Sequence, residues 1–313
     1  MLIKICPWNQ HKAEAHAFFK VLEICYPLFR KPQPANHMTF LKTHIKDLED
    51  SLCFAKVDGH IVGFAALGKN QAQQANLTCA VLPEFRQQGI GTLLFNYCLD
   101  YLKKNNHTIL NSFTFQSHSE ARDFLTQRSF VEIDRICWTQ RKVVDPFPEW
   151  VLMKVNTVKN SSIQIIYGHE LQHIREDWME AWWKLQTEVL QDVPSSVPFK
   201  EMPFEKFKLY AHPPFTQREN VLFAIKDKEL VGSLRLGTLQ DGKMNINHTG
   251  VARTFRRQGV STSLKYKAIQ LAQQQGAQMI TTQNHVHNPM LDLNLKLGFT
   301  PRDELIEYIY QIP

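Results

Sequence analysis

Long apolar runs are missing from this sequence: none of its 313 residues belongs to a stretch of 18 or more apolar residues, so no membrane-spanning helix is expected. The N-terminal residues lack the apolar core and the small-residue cleavage site of a signal peptide. Like charges form no block of five or six, and the net charge is +6, so nothing points to nucleic acid. We therefore expect a cytoplasmic protein with neither a membrane nor a nucleic acid as partner.

Cysteine is sparse and unpatterned. The six cysteines lie in the first half of the chain and include no C-x-x-C pair. In a reducing compartment such spacing is typical of small buried apolar side chains, so we predict neither a disulfide nor a zinc site from them. Hydrophobic residues make up 43% of the chain and charged residues 21%, which predicts ordinary globular cores, and the length suits two domains.

One internal repeat organises the chain. Three landmarks recur in the same order at a spacing of 169 or 170 residues: Val62-Gly63 with Val231-Gly232, Arg86-Gln87-Gln88-Gly89 with Arg256-Arg257-Gln258-Gly259, and Phe130 with Phe299. We predict a first domain at residues 1–145 and a second at 163–313. Residues 146–162, which hold two prolines and a polar Asn-Ser-Ser run, are predicted to be a linker.

The coarse pattern is the same in both copies of the repeat. A strand and helical segments come first, then alternating strands around an Asp-containing turn, and finally strand, loop, long helix, strand, short helix and strand. This order predicts an α/β fold in which helices cover a sheet.

A glycine-containing loop follows a strand in each copy. The strands end at Val81 and Val251, and a helix begins directly after Gly89 or Gly259. Unpaired N–H groups at such a helix N-terminus favour an anion such as pyrophosphate, and nearby arginines add charge. The loop is neither a P-loop nor a G-x-G-x-x-G dinucleotide site. A helix start with a structural glycine is the alternative interpretation, but the recurrence favours phosphate binding.

These motifs resemble the GCN5-related N-acetyltransferase (GNAT) superfamily. The resemblance rests on Val-x-Pro-x-x-Arg-x-x-Gly-Ile-Gly at residues 81–91 and on the order of elements that ends in Gly-Phe. The second copy, with Thr281-Thr282-Gln283-Asn284 and Leu297-Gly298-Phe299, is similar to the tandem-domain branch that includes mycothiol synthase. The resemblance implies two tandem GNAT-like domains, each a mixed, mostly antiparallel β-sheet flanked by helices.

The resemblance also implies acetyl-CoA as co-substrate, without a metal. In the first copy it would be bound by Cys79, Ala80, Val81, Arg86, Gln87, Gln88, Gly89, Ile90, Gly91 and Thr92. In the second copy it would be bound by Thr249, Gly250, Val251, Arg256, Arg257, Gln258, Gly259, Val260, Ser261, Thr262 and Asn288.

The two copies depart differently from the family pattern. The position that often holds a proton-donating tyrosine is Leu125 in the first copy and Asn294 in the second. Because leucine cannot donate a proton, we expect catalysis in the second copy, with His248 as base and Asn294 at the tyrosine position. The expected reaction is acetylation of a primary amine of a small molecule or peptide by a monomer or homodimer. His248 could instead simply fill a strand face.

Three alternatives stay open. The chain could be a non-catalytic CoA-binding sensor or scaffold, since both tyrosine positions are lost. Residues 169–173 read H-E-x-x-H, a pattern of zinc hydrolases with a known false-positive rate. Trp178, Trp182 and Trp183 lie at helical spacing, which favours core packing, but together with Asp192 or Glu188 they could also line a pocket for a cationic amine.

Overall fold

The computed structural model describes residues 2–9, 11–27, 37, 41, 51–71, 73–194, 199–213 and 215–313. The chain forms two compact units. The first unit contains residues 1–133 and 306–313, and the second contains residues 134–305.

The first unit is a mixed sheet with helices. Its strands are β1 (Ile3–Pro7), β2 (Leu52–Val57), β3 (His60–Gln71), β4 (Gln74–Val81) and β5 (Ile109–Phe115). Neighbours from β1 to β4 are antiparallel, and β5 is parallel to β4. The described helices are α1 (Lys12–Cys25), α2 (Ile90–Lys104) and α3 (Ser119–Thr126). Helix α2 forms because its apolar residues recur at helical spacing, and it buries Ile90, Leu94, Cys98 and Leu102 in the core.

The second unit repeats this plan. Its strands are β6 (Val131–Lys142), β7 (Gln164–Tyr167), β8 (Val221–Lys226), β9 (Glu229–Leu236), β10 (Lys243–Val251), β11 (Met279–His285) and β12 (Thr300–Gln311), of which β6 and β12 each have residues in both units. The described helices are α4 (Glu149–Asn160), α5 (Leu171–Ile174), α6 (Trp178–Leu190), α7 (Phe204–Tyr210), α8 (Val260–Gln274) and α9 (Pro289–Lys296). Strands β7 to β10 are antiparallel, and β11 is parallel to β10. The predicted fold class, an α/β fold of mixed and mostly antiparallel sheets with flanking helices, is confirmed.

Part of the last strand of each copy belongs to the unit built by the other copy. Residues 136–142 of β6 pair antiparallel with β11, whereas the end of β12, residues 306–311, belongs to the first unit. There Tyr310 stacks on Phe130, with ring centroids 5.0 Å apart. The predicted boundaries at 145 and 163 follow the repeat, whereas the compact units follow strand pairing. Because the two copies end in equivalent strands, each closing strand could pair in either unit. The sequence pattern does not distinguish between these two pairings.

The segment predicted as a linker is largely helix α4. Its valines at 151, 155 and 158 recur at helical spacing, and Val151 and Val158 are buried in the core of the second unit. Pro148 immediately precedes the helix, where a missing N–H costs nothing. The prolines of residues 146–162 therefore mark the start of a helix. Composition alone does not distinguish such a helix start from a linker.

The core of the second unit contains a lysine. Lys265 on α8 is 1% exposed, and no hydrogen bond or ion pair to its side chain occurs among the described residues. Burial lowers the pKa of Lys265 to about 7.

No described helix has the length and apolar character needed to cross a membrane.

Replacing this lysine tests its energetic cost. Lys265→Met should raise the free energy of unfolding at pH 7 by about 3 kcal/mol, because a buried, unpaired ammonium is replaced by an apolar chain of similar length. The unfolded lysine has a pKa of 10.5 and the folded one about 7, so between these values the unfolded chain binds more protons and the wild type gains stability as pH rises. The advantage of the variant should therefore shrink towards pH 10.5 in denaturant titrations. Lys296→Met, at an exposed site of α9, is the control. An equal advantage at pH 7 and pH 10 would contradict this account.

Candidate functional site

A cavity of about 680 Å³ opens in the first unit where β4 and β5 part. The two strands pair only over Gln74–Leu77 and Ile109–Ser112, yet they continue to Val81 and Phe115. The lining includes most of the residues predicted to bind acetyl-CoA in this copy, namely Cys79, Ala80, Val81, Arg86, Gln87, Gly89, Gly91 and Thr92. Gln88 and Ile90 are not part of it: the Gln88 amide donates to the Glu84 carbonyl, and Ile90 is in the core.

The loop of the first copy presents an uncapped helix N-terminus to this cavity. Gln87 and Gly89 have φ angles of +58° and +81°, so the chain turns sharply into α2, and no side chain caps the helix. Arg86 Nε donates to the Val81 carbonyl at 3.1 Å, and its Nη1 lies 3.3 Å from Glu120. The left-handed conformation at Gly89 is one that glycine adopts without a steric penalty. Free N–H groups and the helix dipole at this point suit an anion.

Carbonyls on the open edge of β4 are already hydrogen-bonded. The Tyr26 hydroxyl donates to the Cys79 carbonyl at 3.1 Å, and the Cys25 thiol donates to the Val81 carbonyl at 3.5 Å. Burial raises the pKa of both thiols, that of Cys79 to about 12, so neither is a thiolate at neutral pH. A buried hydroxyl that sequence reasoning missed, Thr114 Oγ1, lines the cavity and has no hydrogen-bond partner among the described residues.

The second copy builds the same loop with a different electrostatic environment. Arg257 and Gly259 have φ angles of +63° and +91°, and Arg256 Nε donates to the Val251 carbonyl at 3.1 Å. Asp192 binds Arg256 at 2.6 Å and Arg253 through two contacts of 2.8 Å. The two guanidinium groups hold the pKa of Asp192 well below its usual range. Asp192 therefore serves this loop, which differs from the role in an amine pocket suggested by the sequence.

The other predicted cofactor residues of the second copy divide by burial. Thr249, Gly250 and Val251 end β10, and Val260 and Thr262 are buried in the first turn of α8. The Gln258 amide donates to the Thr254 carbonyl, as Gln88 does to Glu84 in the first copy. Arg257 and Ser261 lie in the turn and at the start of the helix. The structure thus brings these residues into one strand, loop and helix start.

Asn288 and Asn294 have structural partners. Asn288 caps α9, because its side-chain oxygen accepts from the Met290 N–H at 2.9 Å. Asn294 is fully buried, and its Nδ2 donates to Asn284 Oδ1 at 2.6 Å, while its Oδ1 has no partner among the described residues. Their predicted roles, Asn288 in cofactor binding and Asn294 in catalysis, stay predictions.

His248 lies on the face of β10 that α6 covers. It is half-buried, and its Nε2 is shielded and has no partner among the described residues. Burial, with smaller contributions from the positive charges of Arg235 and Lys265, lowers the pKa of His248 to about 4. The imidazole is therefore neutral at pH 7 and can accept a hydrogen bond. Its predicted role as base stays a prediction.

The same face differs strongly between the copies. In the first copy Phe64, opposite Ala80 on β4, is fully buried and packs on Phe18 with ring centroids 4.3 Å apart. In the second copy Ser233 is opposite Gly250 on β10, and its hydroxyl is buried without a partner among the described residues. A buried aromatic side chain in the first copy thus corresponds to a polar side chain in the second. The preceding glycines, Gly63 and Gly232, align these two residues in the sequence repeat. What surrounds each side chain depends on tertiary packing, which the repeat does not show.

The H-E-x-x-H pattern does not form a zinc-binding helix face. His169 and Glu170 precede α5, and Glu170 Oε2 accepts from the Tyr167 N–H at 2.6 Å. The His173 ring lies 3.2 Å from the Gln172 amide. Among the described residues no group of three or more potential ligands gathers at one point. All six cysteines are free.

The two halves of the chain thus repeat one strand–loop–helix arrangement. The sequence profile of the acetyltransferase (GNAT) family matches residues 15–130 and again residues 175–299. The chain belongs to this family, which confirms the resemblance found in the sequence, and membership supports acyl transfer as its activity.

Solved structures share the fold over the whole chain. A GCN5-related N-acetyltransferase from Sphaerobacter thermophilus has a TM-score of 0.74 and 16% identity, covering 99% of this chain and 96% of that one. The tandem GNAT protein from the clavulanic acid biosynthesis pathway has a TM-score of 0.71 and 15% identity, covering 100% and 99%. At these identities the likeness shows the fold alone. The search of curated proteins gave no significant match.

Gly250 permits the close approach of α6 to β10. A Cβ at this position would lie 2.4 Å from a Val189 methyl group and 2.9 Å from His248 Nε2. Gly250→Ala should therefore lower the free energy of unfolding by roughly 1–3 kcal/mol through overpacking, as measured by denaturant titration. Adding Val189→Ala should restore part of the loss. The first copy already has Ala80 at this strand position, so Ala80→Gly is the matched control and should not stabilise. A double variant no more stable than Gly250→Ala would contradict the steric explanation.

Proposed function

We propose that this protein transfers the acetyl group of acetyl-CoA to a primary amine of a small molecule or peptide. The second copy catalyses the reaction, and the first copy binds acetyl-CoA without catalysing. The observation that carries the proposal is the contrast between the α1 face of β4 and the α6 face of β10. Phe64 and Phe18 fill the former, whereas Ser233 and His248 make the latter polar.

Binding of acetyl-CoA in the first copy is supported by the cavity and its loop. A volume of about 680 Å³ accommodates the pantetheine arm, and the uncapped start of α2 with Arg86 suits the pyrophosphate. The parted edge of β4 offers strand backbone groups to the amides of the arm. The residues present therefore fit the group. Phe64 and Leu125 leave this copy no group that could exchange a proton with an acceptor amine at those positions.

Catalysis in the second copy requires three things of this chain. The turn at Arg257–Gly259 and the start of α8 provide N–H groups for the pyrophosphate. The backbone N–H groups at the end of β10 provide donors for the oxyanion that develops on the thioester carbonyl. The neutral Nε2 of His248 accepts a hydrogen bond from the amine and takes its proton as the amine attacks. Acetyl-CoA supplies the activated acetyl group.

The competing functions make different demands. A CoA-binding sensor would need only the cavity of the first copy and would leave the amine untouched. A zinc hydrolase would need both imidazoles of H-E-x-x-H on one helix, and His169 precedes α5. Transfer to an amine is the reading that gives the polar face of β10 a chemical role.

Matched loop variants should separate the two copies. Gly89→Asp and Gly259→Asp each place a negative charge at a helix start that would otherwise bind pyrophosphate. We expect Gly89→Asp to weaken acetyl-CoA binding at the first copy by at least tenfold in calorimetric titration and to leave amine acetylation intact. Gly259→Asp should abolish acetylation and spare the site in the first copy.

Asparagine variants control for the backbone strain. Gly89→Asn and Gly259→Asn adopt the same left-handed conformation without the charge, so they should bind acetyl-CoA better than the aspartate variants. Gly259→Asn also shows what a side chain costs beside Val158, which lies 3.2 Å from the added Cβ. Loss of acetylation with Gly89→Asp alone would assign catalysis to the first copy. Absence of acetyl-CoA binding at both copies would overturn the proposal.

His248→Gln tests the assigned base. The variant keeps a polar side chain but loses the imidazole, and we expect kcat to fall by about 10²-fold. Acetyl-CoA binding should be unchanged, because His248 is not part of either loop. Thr78→Gln, at the same repeat position of the first copy, is the control and should retain activity. An unchanged kcat would leave His248 as a residue that only fills the strand face.

A further inference from the structure

Four buried polar atoms surround one small void in the second unit. They are Trp182 Nε1 on α6, Ser233 Oγ and Arg235 Nε on β9, and His248 Nε2 on β10. None of them has a hydrogen-bond partner among the described residues. Each unpartnered buried polar group destabilises the fold, so four around one void are an unfavourable arrangement unless a ligand satisfies them.

The strand register fixes the geometry of this group. Arg235 and His248 are directly opposite each other on antiparallel strands, so their side chains leave the same face as neighbours. Ser233 lies two residues along β9 on the same face. Trp182 approaches from α6, held by Phe207 and Phe223, whose ring centroids are both 5.2 Å away. The four atoms therefore belong to rigid elements rather than to a loop.

The charge of the group is positive and unbalanced. Arg235 stacks on Tyr210, with its guanidinium carbon 4.4 Å from the ring centroid, and its Nη1 reaches the neutral Thr216 hydroxyl at 3.4 Å. None of the described residues that line the void is acidic. Trp182 and Arg235 offer N–H donors only, and Ser233 adds a hydroxyl donor. Donors around an unpaired guanidinium select an anion with two acceptor oxygens.

We propose that the second copy selects acceptors that carry a carboxylate next to the primary amine, as an amino acid does. Arg235, Ser233 and Trp182 bind the carboxylate, and His248 faces the amine. This inference rests on the proposed function of the second copy. It replaces the cationic amine pocket suggested by the sequence, because Asp192 is held by the loop arginines and Glu188 accepts from the Arg253 N–H at 2.7 Å.

The position of His248 beside Arg235 gives the carboxylate a second effect. The positive charge of Arg235 contributes to the lowered pKa of His248. A carboxylate bound to Arg235 offsets that charge and raises the proton affinity of the imidazole. The correct acceptor therefore improves the base that deprotonates it, whereas an amine without a carboxylate does not.

The void is too narrow for a water molecule in this conformation, so an acceptor must displace side chains at its rim. Gln186 on α6 and Tyr210 on α7 line the void and are half-buried, so we expect these two side chains to move when an acceptor binds. Binding should accordingly change the environment of Trp182, which gives a spectroscopic signal.

Acceptor triads test the proposal directly. Each triad contains an L-amino acid, its carboxamide and the decarboxylated amine with the same side chain, and CoA release is measured with acetyl-CoA as donor. We expect kcat/KM for the amino acid to exceed that for its carboxamide by at least tenfold in at least one triad. Arg235→Gln should bring this ratio close to one, Arg235→Lys should restore part of it, and Ser233→Ala should lower it. Lys228→Gln, the same charge change at an exposed turn of the β8–β9 hairpin, should leave the ratio unchanged.

Direct binding separates failure of this inference from failure of the proposed function. Calorimetry and tryptophan fluorescence with the amino acid should report binding in the wild type that Arg235→Gln weakens at least tenfold. That result without any acetylation would support the carboxylate site and overturn the proposed transferase activity. Equal turnover of all members of every triad would overturn the carboxylate site and leave the transferase standing. A preference for the amino acid that persists in Arg235→Gln, or neither turnover nor binding, would also overturn the site.

Discussion

The constraint on which both halves depend is a pair of parallel strands that begin together and then separate. β4 and β5 pair up to Leu77 and Ser112, and β10 and β11 pair up to Asn245 and Thr281. Beyond these points one edge of β4, and likewise one edge of β10, has no neighbouring strand. The backbone groups on that edge need other hydrogen-bond partners. In the first copy Tyr26, Cys25 and Arg86 bind the carbonyls of this edge. The N–H groups left over face the cavity, so the parting of the strands creates the place where an extended ligand arm can pair.

The two copies use this common opening differently because a few side chains differ on either side of the sheet. Phe64 and Phe18 gain apolar burial for the first copy, and they fill the face that corresponds to the proposed acceptor side of the second copy. On the corresponding strand of the second copy, Ser233 and Arg235 place polar groups on this face instead of apolar side chains. On the loop side, Asp192 fixes Arg253 and Arg256, whereas Cys25 lies 4.0 Å from Arg86. One fold thus supports two sites of unlike character.

The sequence predicted the fold and the loops because both depend on local patterns that repeat. Gly89 and Gly259 adopt the left-handed conformation that leads the chain into a helix, and a glycine at that place can be recognised in the sequence. The exchange of β6 and β12 was not predictable, since either closing strand offers the same alternation to β5 or β11. Helix α4 was hidden because the prolines that precede it resemble those of a linker, although its valines already recur at helical spacing. The proposed role of Arg235 depends on what lies opposite it across two strands and a helix, and no local pattern carries that information.

More of the cost of polar burial falls on the second unit than on the first. His248 and Lys265 are held there with pKa values lowered to about 4 and about 7, and the unpartnered atoms around the void lie there as well. Each of these features lowers the stability of the fold, and stability alone would favour the aromatic solution that Phe64 provides in the first unit. Strongly perturbed titratable groups concentrate at functional sites, because acid–base chemistry needs them where packing disfavours them. The unequal distribution of this cost therefore supports a division in which the first unit is the stable binding half and the second unit is the reactive half.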